Sequence, residues 1–408
     1  MATAAAPFEE DPLTEPAENA GRTRSGAARL DAIDMLRGLV IAIMVLDHVR
    51  DFFHIEALQF DPVDPLRSYP ALFFTRWITH LCAPTFVFLA GVSIFFQKAN
   101  GKTGWDLSRF LLTRGLWLVL LEVTVVTFGF NFGEPFVFLQ VIWAIGGSMV
   151  CMAALARLGP RTVLAIGVAI LALYPLGTLA LLNVQGGPLL PLKILFVPTV
   201  LPPYLLAYYA LVPWLGVMCL GFGLGPLFRM APEARGRRLL WLALAMLAAF
   251  ALLRTLNGYG DFFPWKAGAT TAQSVMSWLN VSKYPPSEDY VLATLGVSLL
   301  LFLALGHLRG PLARVLLDFG RTPLFTYLAH LYIAHGLMLA VVLATGAPAG
   351  TAFNTVSGSL GPVPPPAWGF SLPVVYLVWL LVLAVLVPLS RWFAGVKRGR
   401  RDWWLSYI

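Results

Sequence analysis

Two ionisable side chains near the start of the chain, Arg37 and His48, lie eleven residues apart within an otherwise apolar segment. In an α-helix this spacing is close to three full turns, so both would lie on one face, about 16 Å apart along the axis. Asp34 falls one turn before Arg37, and Asp51 falls one turn after His48. The segment therefore predicts one polar stripe that carries a cation at one end and an imidazole, a possible general base, at the other.

Simpler interpretations of these residues stay open. Arg37 lies about a turn inside the edge of the apolar segment, where it could snorkel to the interface or pair with Asp34. His48, beside Asp47, could have a structural role at the interface. Ionisable groups inside a membrane helix nevertheless cost a few kcal/mol each, and they tend to mark function.

The second apolar segment repeats the pattern, because Arg76 and His80 lie four residues apart on one predicted helical face. Pro84 should loosen the helix just after His80, since proline cannot continue the backbone hydrogen bonds. His54 lies at the far end of the first segment or in the loop after it. His330 and His335 are five residues apart, about 140° around a helix, which does not favour a two-histidine metal face. We therefore expect no metal.

The elements that must hold these side chains are membrane helices. The chain is 58% hydrophobic and only 12% charged, and its apolar runs of about 20 residues match the thickness of a bilayer core. We predict an all-α polytopic membrane protein of about ten transmembrane helices, with both termini cytoplasmic. The predicted spans are residues 33–53, 72–97, 107–129, 136–157, 162–182, 205–228, 237–257, 290–308, 322–345 and 371–392.

The distribution of Lys and Arg predicts the orientation of these spans. Of the 29 basic residues, 21 fall on the side shared by the N-terminus and the even-numbered connections. Only four fall on the other side: Arg67, Lys193, Lys266 and Lys283. The positive-inside rule makes the first side cytoplasmic. The net charge of +8 is thereby explained without a nucleic-acid partner.

Three regions follow from this pattern. Residues 1–28 are predicted to be a disordered cytoplasmic tail, residues 29–395 the membrane domain, and residues 396–408 a basic cytoplasmic tail. The connection near residues 258–289 contains Trp265, Trp278 and Tyr284. Aromatic faces beside polar groups suit sugar binding, but they also suit an ordinary interfacial belt.

Two segments carry a resemblance to a known family: LDAIDMLRGLVIAIMVLDHVRDFFH at 30–54 and FFTRWITHLCAPTFVFLAGVSIFF at 73–96. They resemble the opening of the heparan-alpha-glucosaminide N-acetyltransferase catalytic domain family, within a wider superfamily of transmembrane acyltransferases. Arg37, ten residues and then His48 fit a pattern of that superfamily. NVSKYPPSEDY at 280–290 and GRTPLFTYLAHLYIAH at 320–335 support the resemblance, which covers most of residues 29–392.

The resemblance implies transfer of an acyl group, usually acetyl from cytosolic acetyl-CoA, to a glycan across the membrane. His48 would then be the base or a transient acyl carrier, with Asp51 or Asp47 orienting it. The family's lysosomal enzymes have Asn at this position and their histidine in the following segment, so His54 is the alternative base.

In the same interpretation, Arg76 and His80 complete the catalytic site. Arg37 and Asp34 bind the CoA, and four residues contact the acceptor: Trp265, Trp278, Tyr284 and His330. The expected partners are the lipid bilayer of a bacterial inner membrane, acyl-CoA and a sugar or glycan, and a homodimer stays open. A transporter or flippase without acyl transfer is the main alternative, and a non-catalytic sensor or scaffold is a third.

Overall fold

The computed structural model describes residues 17–57, 59–202, 204–359 and 368–400, together with residues 402, 405 and 407. Helices dominate these residues. The helices are α1 (Ala17–Phe53), α2 (Pro70–Ile78), α3 (Cys82–Ala99), α4 (Gly104–Leu121), α5 (Thr127–Asn131), α6 (Val141–Leu155), α7 (Pro160–Leu181), α8 (Leu190–Phe196), α9 (Leu211–Phe228), α10 (Pro232–Leu256), α11 (Thr271–Leu279), α12 (Glu288–Leu305), α13 (Pro311–Arg321), α14 (Pro323–Thr345), α15 (Thr355–Ser359) and α16 (Leu372–Gly399).

Eight helical segments in the described part of the chain are long and apolar enough to cross a membrane. They are 70–99 (α2 and α3), 104–131 (α4 and α5), α7, α9, α10, α12, α14 and α16. The two remaining predicted spans correspond to α1, which carries several charged side chains, and to α6, which has only 15 residues. The predicted all-α membrane fold of about ten helices is confirmed.

Two helices begin later than the predicted spans 136–157 and 205–228, because short strands lie at the start of each span. The helices α6 and α9 begin at Val141 and Leu211. β1 (Val137–Leu139) pairs in parallel with β3 (Leu205–Ala207), which pairs antiparallel with β2 (Thr199–Leu201). Pro135 and Pro202 lie next to these strands and disfavour continued helix. β1 and β3 are largely buried in the protein, whereas Val200 in β2 is 45% exposed.

The first helix is tightly packed against α13. A Cβ atom on Gly38 would lie 1.9 Å from the Leu316 carbonyl oxygen, and one on Gly320 would lie 1.8 Å from the Asp34 carbonyl oxygen. Only glycine permits such an approach of two backbones. The α1 helix is thereby fixed at the centre of the molecule, where Val40, Ile41 and Val45 are fully buried.

Contacts between connections define two ends of the bundle. The basic end holds the Arg321–Asp31 ion pair at 2.9 Å and the Arg391–Asp318 ion pair at 3.1 Å. The opposite end holds a bridge between His54 and Phe370 and, some distance along the chain, a hydrogen bond from Tyr259 to the Ala172 carbonyl. Asp31, near the start of α1, therefore lies at the basic end, and His54, just after α1, lies at the opposite end.

The predicted tails differ in part from the structure. The α1 helix begins at Ala17, inside the tail predicted for residues 1–28, and residues 1–16 lie outside the described residues. At the other terminus, α16 continues to Gly399, beyond the boundary predicted at 395. Most of the remaining C-terminal residues also lie outside the described part. The three-region division stays a prediction.

Candidate functional site

The centre of the site is a pair of histidines from α1 and α14. Nδ1 of His48 lies 2.7 Å from Nε2 of His330, with the two rings nearly parallel. One of these nitrogens must donate and the other accept, so the contact couples the tautomers of the two rings. Phe130 packs edge-on against His48, with ring centroids 5.0 Å apart. His48 is thereby held in one orientation within a largely apolar setting.

The carboxylates beside His48 are engaged by arginines. Asp47 accepts hydrogen bonds from Arg50 at 2.9 Å and from Arg76 at 2.5 Å, and Arg50 also reaches Asp51 at 2.7 Å. Neighbouring residues project about 100° apart around a helix, so Asp47 faces α2 while His48 faces α14. The sequence predicts that Asp51 or Asp47 orients His48. In the structure the hydrogen-bonding partner of His48 is His330, which the sequence analysis assigns to acceptor binding.

Proline chemistry explains where His80 lies. Pro84 has no N–H to donate to the carbonyl of His80, and a 3₁₀ turn, Thr79–Leu81, interrupts the helix there, as the sequence predicted. The hydroxyl of Tyr290 donates to this carbonyl instead, at 2.9 Å. The buried ring of His80 packs against Tyr290, and its Nδ1 has no hydrogen-bonding partner among the described residues.

Lys283 is a member of the site that sequence reasoning missed, since it was counted only among the basic residues of the sparsely charged side. It is 8% exposed and lies within electrostatic range of Asp47, His48 and His80. Its Nζ lies 5.1 Å from the centre of the Tyr284 ring. A lone lysine immediately before a Tyr-Pro-Pro turn was the available signal.

The residues predicted to bind the sugar acceptor do not all lie near the candidate site. Tyr284 belongs to the site, because its ring stacks on Tyr208 at 5.0 Å and Tyr208 lies in electrostatic range of Asp51 and Arg76. Trp265 and Trp278 belong instead to the outer loop, where their backbone carbonyls accept hydrogen bonds from Asn257 and Arg254. No contact described for the chain joins either tryptophan to His48.

His54 lies apart from His48, just beyond the end of α1. Its Nδ1 accepts the backbone N–H of Glu56 at 3.3 Å, and its Nε2 lies 3.5 Å from the Tyr69 hydroxyl. Burial lowers the pKa of His54 below the ordinary histidine value, which favours the neutral form. It lines a separate pocket of about 530 Å³ at the opposite end, together with Tyr69 and Tyr376. His54 therefore lines a pocket that does not include His48.

A second cavity, of about 320 Å³, lies between α1, α3, α4, α6 and α14. Its polar part includes Arg37, Ser93, Gln97 and Arg114 at the basic end, and Tyr327 lies deeper. The remaining lining is mostly apolar: Met44, Phe86, Ala90, Ile94, Leu118, Val141, Ile142, Ile145, Met149, Pro323 and Leu324. The walls thus suit a flexible apolar chain, and the mouth suits an anion.

Arg37 and Tyr327 connect this cavity to the rest of the site. Arg37 donates to Asp34 at 2.8 Å and to the Gly320 carbonyl at 3.2 Å, so its guanidinium is held at the mouth. Tyr327 is 6.4 Å from His48 and 5.4 Å from His330, centroid to centroid. The cavity therefore leads from the basic end towards the histidine pair.

Glu122 is a second residue that the sequence analysis missed. It is fully buried in a π-helical turn (Glu122–Val126) between α4 and α5. Its carboxylate accepts the backbone N–H groups of Gln140 at 3.0 Å and Trp143 at 2.9 Å. Glu122 thereby caps the N-terminus of α6, whose first residues line the cavity. A single glutamate within an apolar span was the available signal.

The geometry defines the class of protein: a polytopic membrane protein with a histidine site inside its helical bundle. The model of the heparan-alpha-glucosaminide N-acetyltransferase catalytic family matches residues 29–256, more than half of the chain. The chain belongs to this family of membrane acetyltransferases. The resemblance in the first two spans is thereby confirmed, whereas the segments at 280–290 and 320–335 lie beyond the match. A comparison with curated protein sequences gives no significant match.

Within the described ranges, no three His, Cys, Asp or Glu side chains lie where they could hold a metal ion. The site consists instead of imidazoles, paired carboxylates and three cationic side chains, Arg50, Arg76 and Lys283. Such groups can accept a proton, carry an acyl group and bind anions.

Proposed function

We propose that this protein transfers an acetyl group from acetyl-CoA, bound at the basic end, to a sugar or glycan acceptor at the opposite end. The basic end would face the cytoplasm, as the positive-inside rule indicates for a bacterial inner membrane. His48 would be the general base or the transient acyl carrier.

The observation that carries this proposal is the cavity between Arg37 and Tyr327. Its basic mouth fits the phosphates of CoA, and its apolar walls fit the pantetheine arm. Arg37 and His48 are eleven residues apart on α1, about 16 Å along the axis, a distance comparable with an extended pantetheine arm. A thioester held in this way would approach the histidine pair from the basic end.

The chemistry follows from the coupling of His48 to His330. With the proton of the shared hydrogen bond on His48 Nδ1, the Nε2 atom of His48 is the basic nitrogen. It would take the proton from the acceptor's hydroxyl or amine as the acceptor attacks the thioester carbonyl. The carbon–sulfur bond then breaks, and the thiolate of CoA leaves and takes up that proton. In the covalent alternative, Nε2 attacks the thioester carbonyl and expels the thiolate of CoA. The acceptor then displaces the acyl group from Nε2, and its proton passes to that thiolate.

The remaining predicted residues would act around this step. Asp34 would hold Arg37 at the mouth through the 2.8 Å ion pair and would not contact the phosphates. Arg76 and Asp47 would fix α2 against α1, and His80 would lie beside them on the acceptor side.

Acetyl-CoA binding to the full-length protein in lipid nanodiscs tests the proposal. Wild type should bind acetyl-CoA, and Arg37→Met should weaken binding by about 10- to 100-fold, since hydrogen bonds to charged groups contribute about 1.5–3 kcal/mol. Arg109→Met is the matched control, because Arg109 is exposed on α4 and does not line the cavity. Absence of binding to folded wild type, or equal losses in both variants, would overturn the proposal and favour a transporter.

A further inference from the structure

Lys283 is a buried cation whose charge no carboxylate neutralises directly. Lys283 is only 8% exposed, yet none of the ion pairs in the described residues includes it. The contact of its Nζ is with the face of Tyr284, a modest cation–π interaction. A buried cation without a paired anion is costly, so its retention needs an explanation.

The nearby carboxylates cannot supply the missing anion. Asp47 is bound by both Arg50 and Arg76, and Asp51 is bound by Arg50. The third carboxylate in electrostatic range of Arg76, Asp61, is exposed and accepts the backbone N–H of Val63. Solvent screens such an exposed charge. Among the described residues, the cluster thus holds three largely buried cations, Arg50, Arg76 and Lys283, against the buried carboxylate of Asp47 and the partly exposed carboxylate of Asp51, so at least one positive charge is in excess.

The backbone on both sides of Lys283 is held in place. Asp261 accepts hydrogen bonds from the N–H of Ser282 at 2.8 Å, from its hydroxyl at 2.7 Å and from the hydroxyl of Ser287 at 2.6 Å. Tyr174 also donates to the carbonyl of Pro286. The backbone of the loop that carries Lys283 is therefore held in place, so the loop itself need not be ordered when an anion binds.

The rings next to Lys283 offer a surface for a sugar. Tyr284 stacks on Tyr208 with ring centroids 5.0 Å apart, and both residues are only half-buried. Tyr209 packs edge-on against Tyr284 at 5.4 Å. Aromatic rings beside hydrogen-bonding groups are suited to carbohydrate recognition.

We propose that Lys283, flanked by Tyr284 and Tyr208, is an anion-binding subsite for the acceptor, which therefore carries a carboxylate or phosphate group close to the acetylated position. This inference rests on the proposed function and names the substrate class of the same site. The excess charge selects an anionic acceptor over a neutral one of the same shape.

Ligand-detected NMR on the full-length protein in nanodiscs provides the test, with D-glucuronate, glucose 6-phosphate and D-glucose as probes. Wild type should bind at least one of the two anionic sugars about tenfold more tightly than glucose. The two anionic probes distinguish a carboxylate from a phosphate. Lys283→Met should abolish the preference, and Lys283→Arg should retain it. Lys266→Met, in the same loop but exposed, is the matched control and should bind like wild type.

Equal affinities for glucose and both anionic sugars in wild type would overturn the inference, as would a preference that survives in Lys283→Met. Size-exclusion profiles and melting temperatures verify that each variant is folded. If Lys283→Met does not fold, the test depends on Lys283→Arg. Loss of the anion preference in folded Lys283→Arg then counts against the inference. Acetyl-CoA binding is measured on the same samples. Intact acetyl-CoA binding without anion preference rejects only this inference, whereas anion preference without acetyl-CoA binding rejects the proposed function.

Discussion

Two buried ionic networks at the opposite end of the bundle differ in how completely their polar groups are paired. In the loop network, Arg254 donates to the carbonyls of Phe263, Ser277, Trp278 and Asn280. Its partner Asp261 accepts four hydrogen bonds, from the backbone N–H groups of Phe263 and Ser282 and from the hydroxyls of Ser282 and Ser287. The side chains of Arg254 and Asp261 are thereby saturated within the protein, although Oδ1 of the neighbouring Asp289 is buried without a partner among the described residues.

The network around Asp47 is not saturated. Among the described residues, Nε and one terminal nitrogen of Arg50 are buried without partners, as is Nδ1 of His80, and Lys283 has no ion pair. Buried polar groups are normally paired, so unpaired ones need an explanation. The contrast teaches that a saturated network stabilises the fold, whereas an unsaturated one beside His48 marks a place where substrate groups are bound.

Replacing Arg254 with Met should produce the largest loss of stability. The substitution keeps most of the apolar stem but leaves four carbonyl oxygens without their donor and removes the cation that lies 4.0 Å from the buried Asp261 carboxylate. Breaking such a buried network costs about 3–5 kcal/mol. Reversible unfolding in mixed micelles measures the loss. Lys283→Met is the comparison variant and should change the free energy of unfolding much less. Equal losses in the two variants would contradict the distinction between the networks.

Replacing His48 with Asn should leave the fold intact but reduce acetyl transfer by about 10²- to 10⁴-fold, the usual contribution of a general base. His54→Gln, in the separate pocket near Tyr69, should retain most of the activity. Turnover of acetyl-CoA in nanodiscs measures both variants. If His54→Gln lost activity and His48→Asn kept it, the base would be His54 and the pocket it lines would be the acceptor site.

The sequence predicted the membrane helices, but it did not predict the contacts that join distant residues at the candidate site. Long apolar runs indicated the spans, and the spacing of Arg37 and His48 correctly placed both on the central helix. The contact between His48 and His330 joins residues 282 positions apart, which periodicity along one helix cannot reveal. Likewise, the role of Glu122 depends on the N-terminus of another helix, and that of Lys283 depends on which carboxylates already have arginine partners.

Replacing His330 should have an intermediate effect on activity. His330→Leu removes the hydrogen bond to His48 Nδ1, and one such bond contributes about 1 kcal/mol, so the rate should fall about five- to tenfold. His330→Gln can still hydrogen-bond and should recover part of the rate. Because His330 acts through His48, the pH dependence of kcat should shift in His330→Leu while the KM for acetyl-CoA stays close to that of wild type. An unchanged pH profile would make His330 purely structural.

Replacing Asp51 with Asn should have the smallest effect. The Asp51 side chain is 40% exposed, and solvent-exposed ion pairs contribute about 0–1 kcal/mol. Arg50 also keeps its 2.9 Å ion pair with Asp47, which is much more buried. Unfolding measurements should therefore show a loss below about 1 kcal/mol, and Asp47→Asn, which removes a carboxylate shared by two arginines, should show a clearly larger one. If Asp51→Asn matched Asp47→Asn in this assay, Asp51 would be an essential part of the network and the excess positive charge near His48 would have to be reassigned.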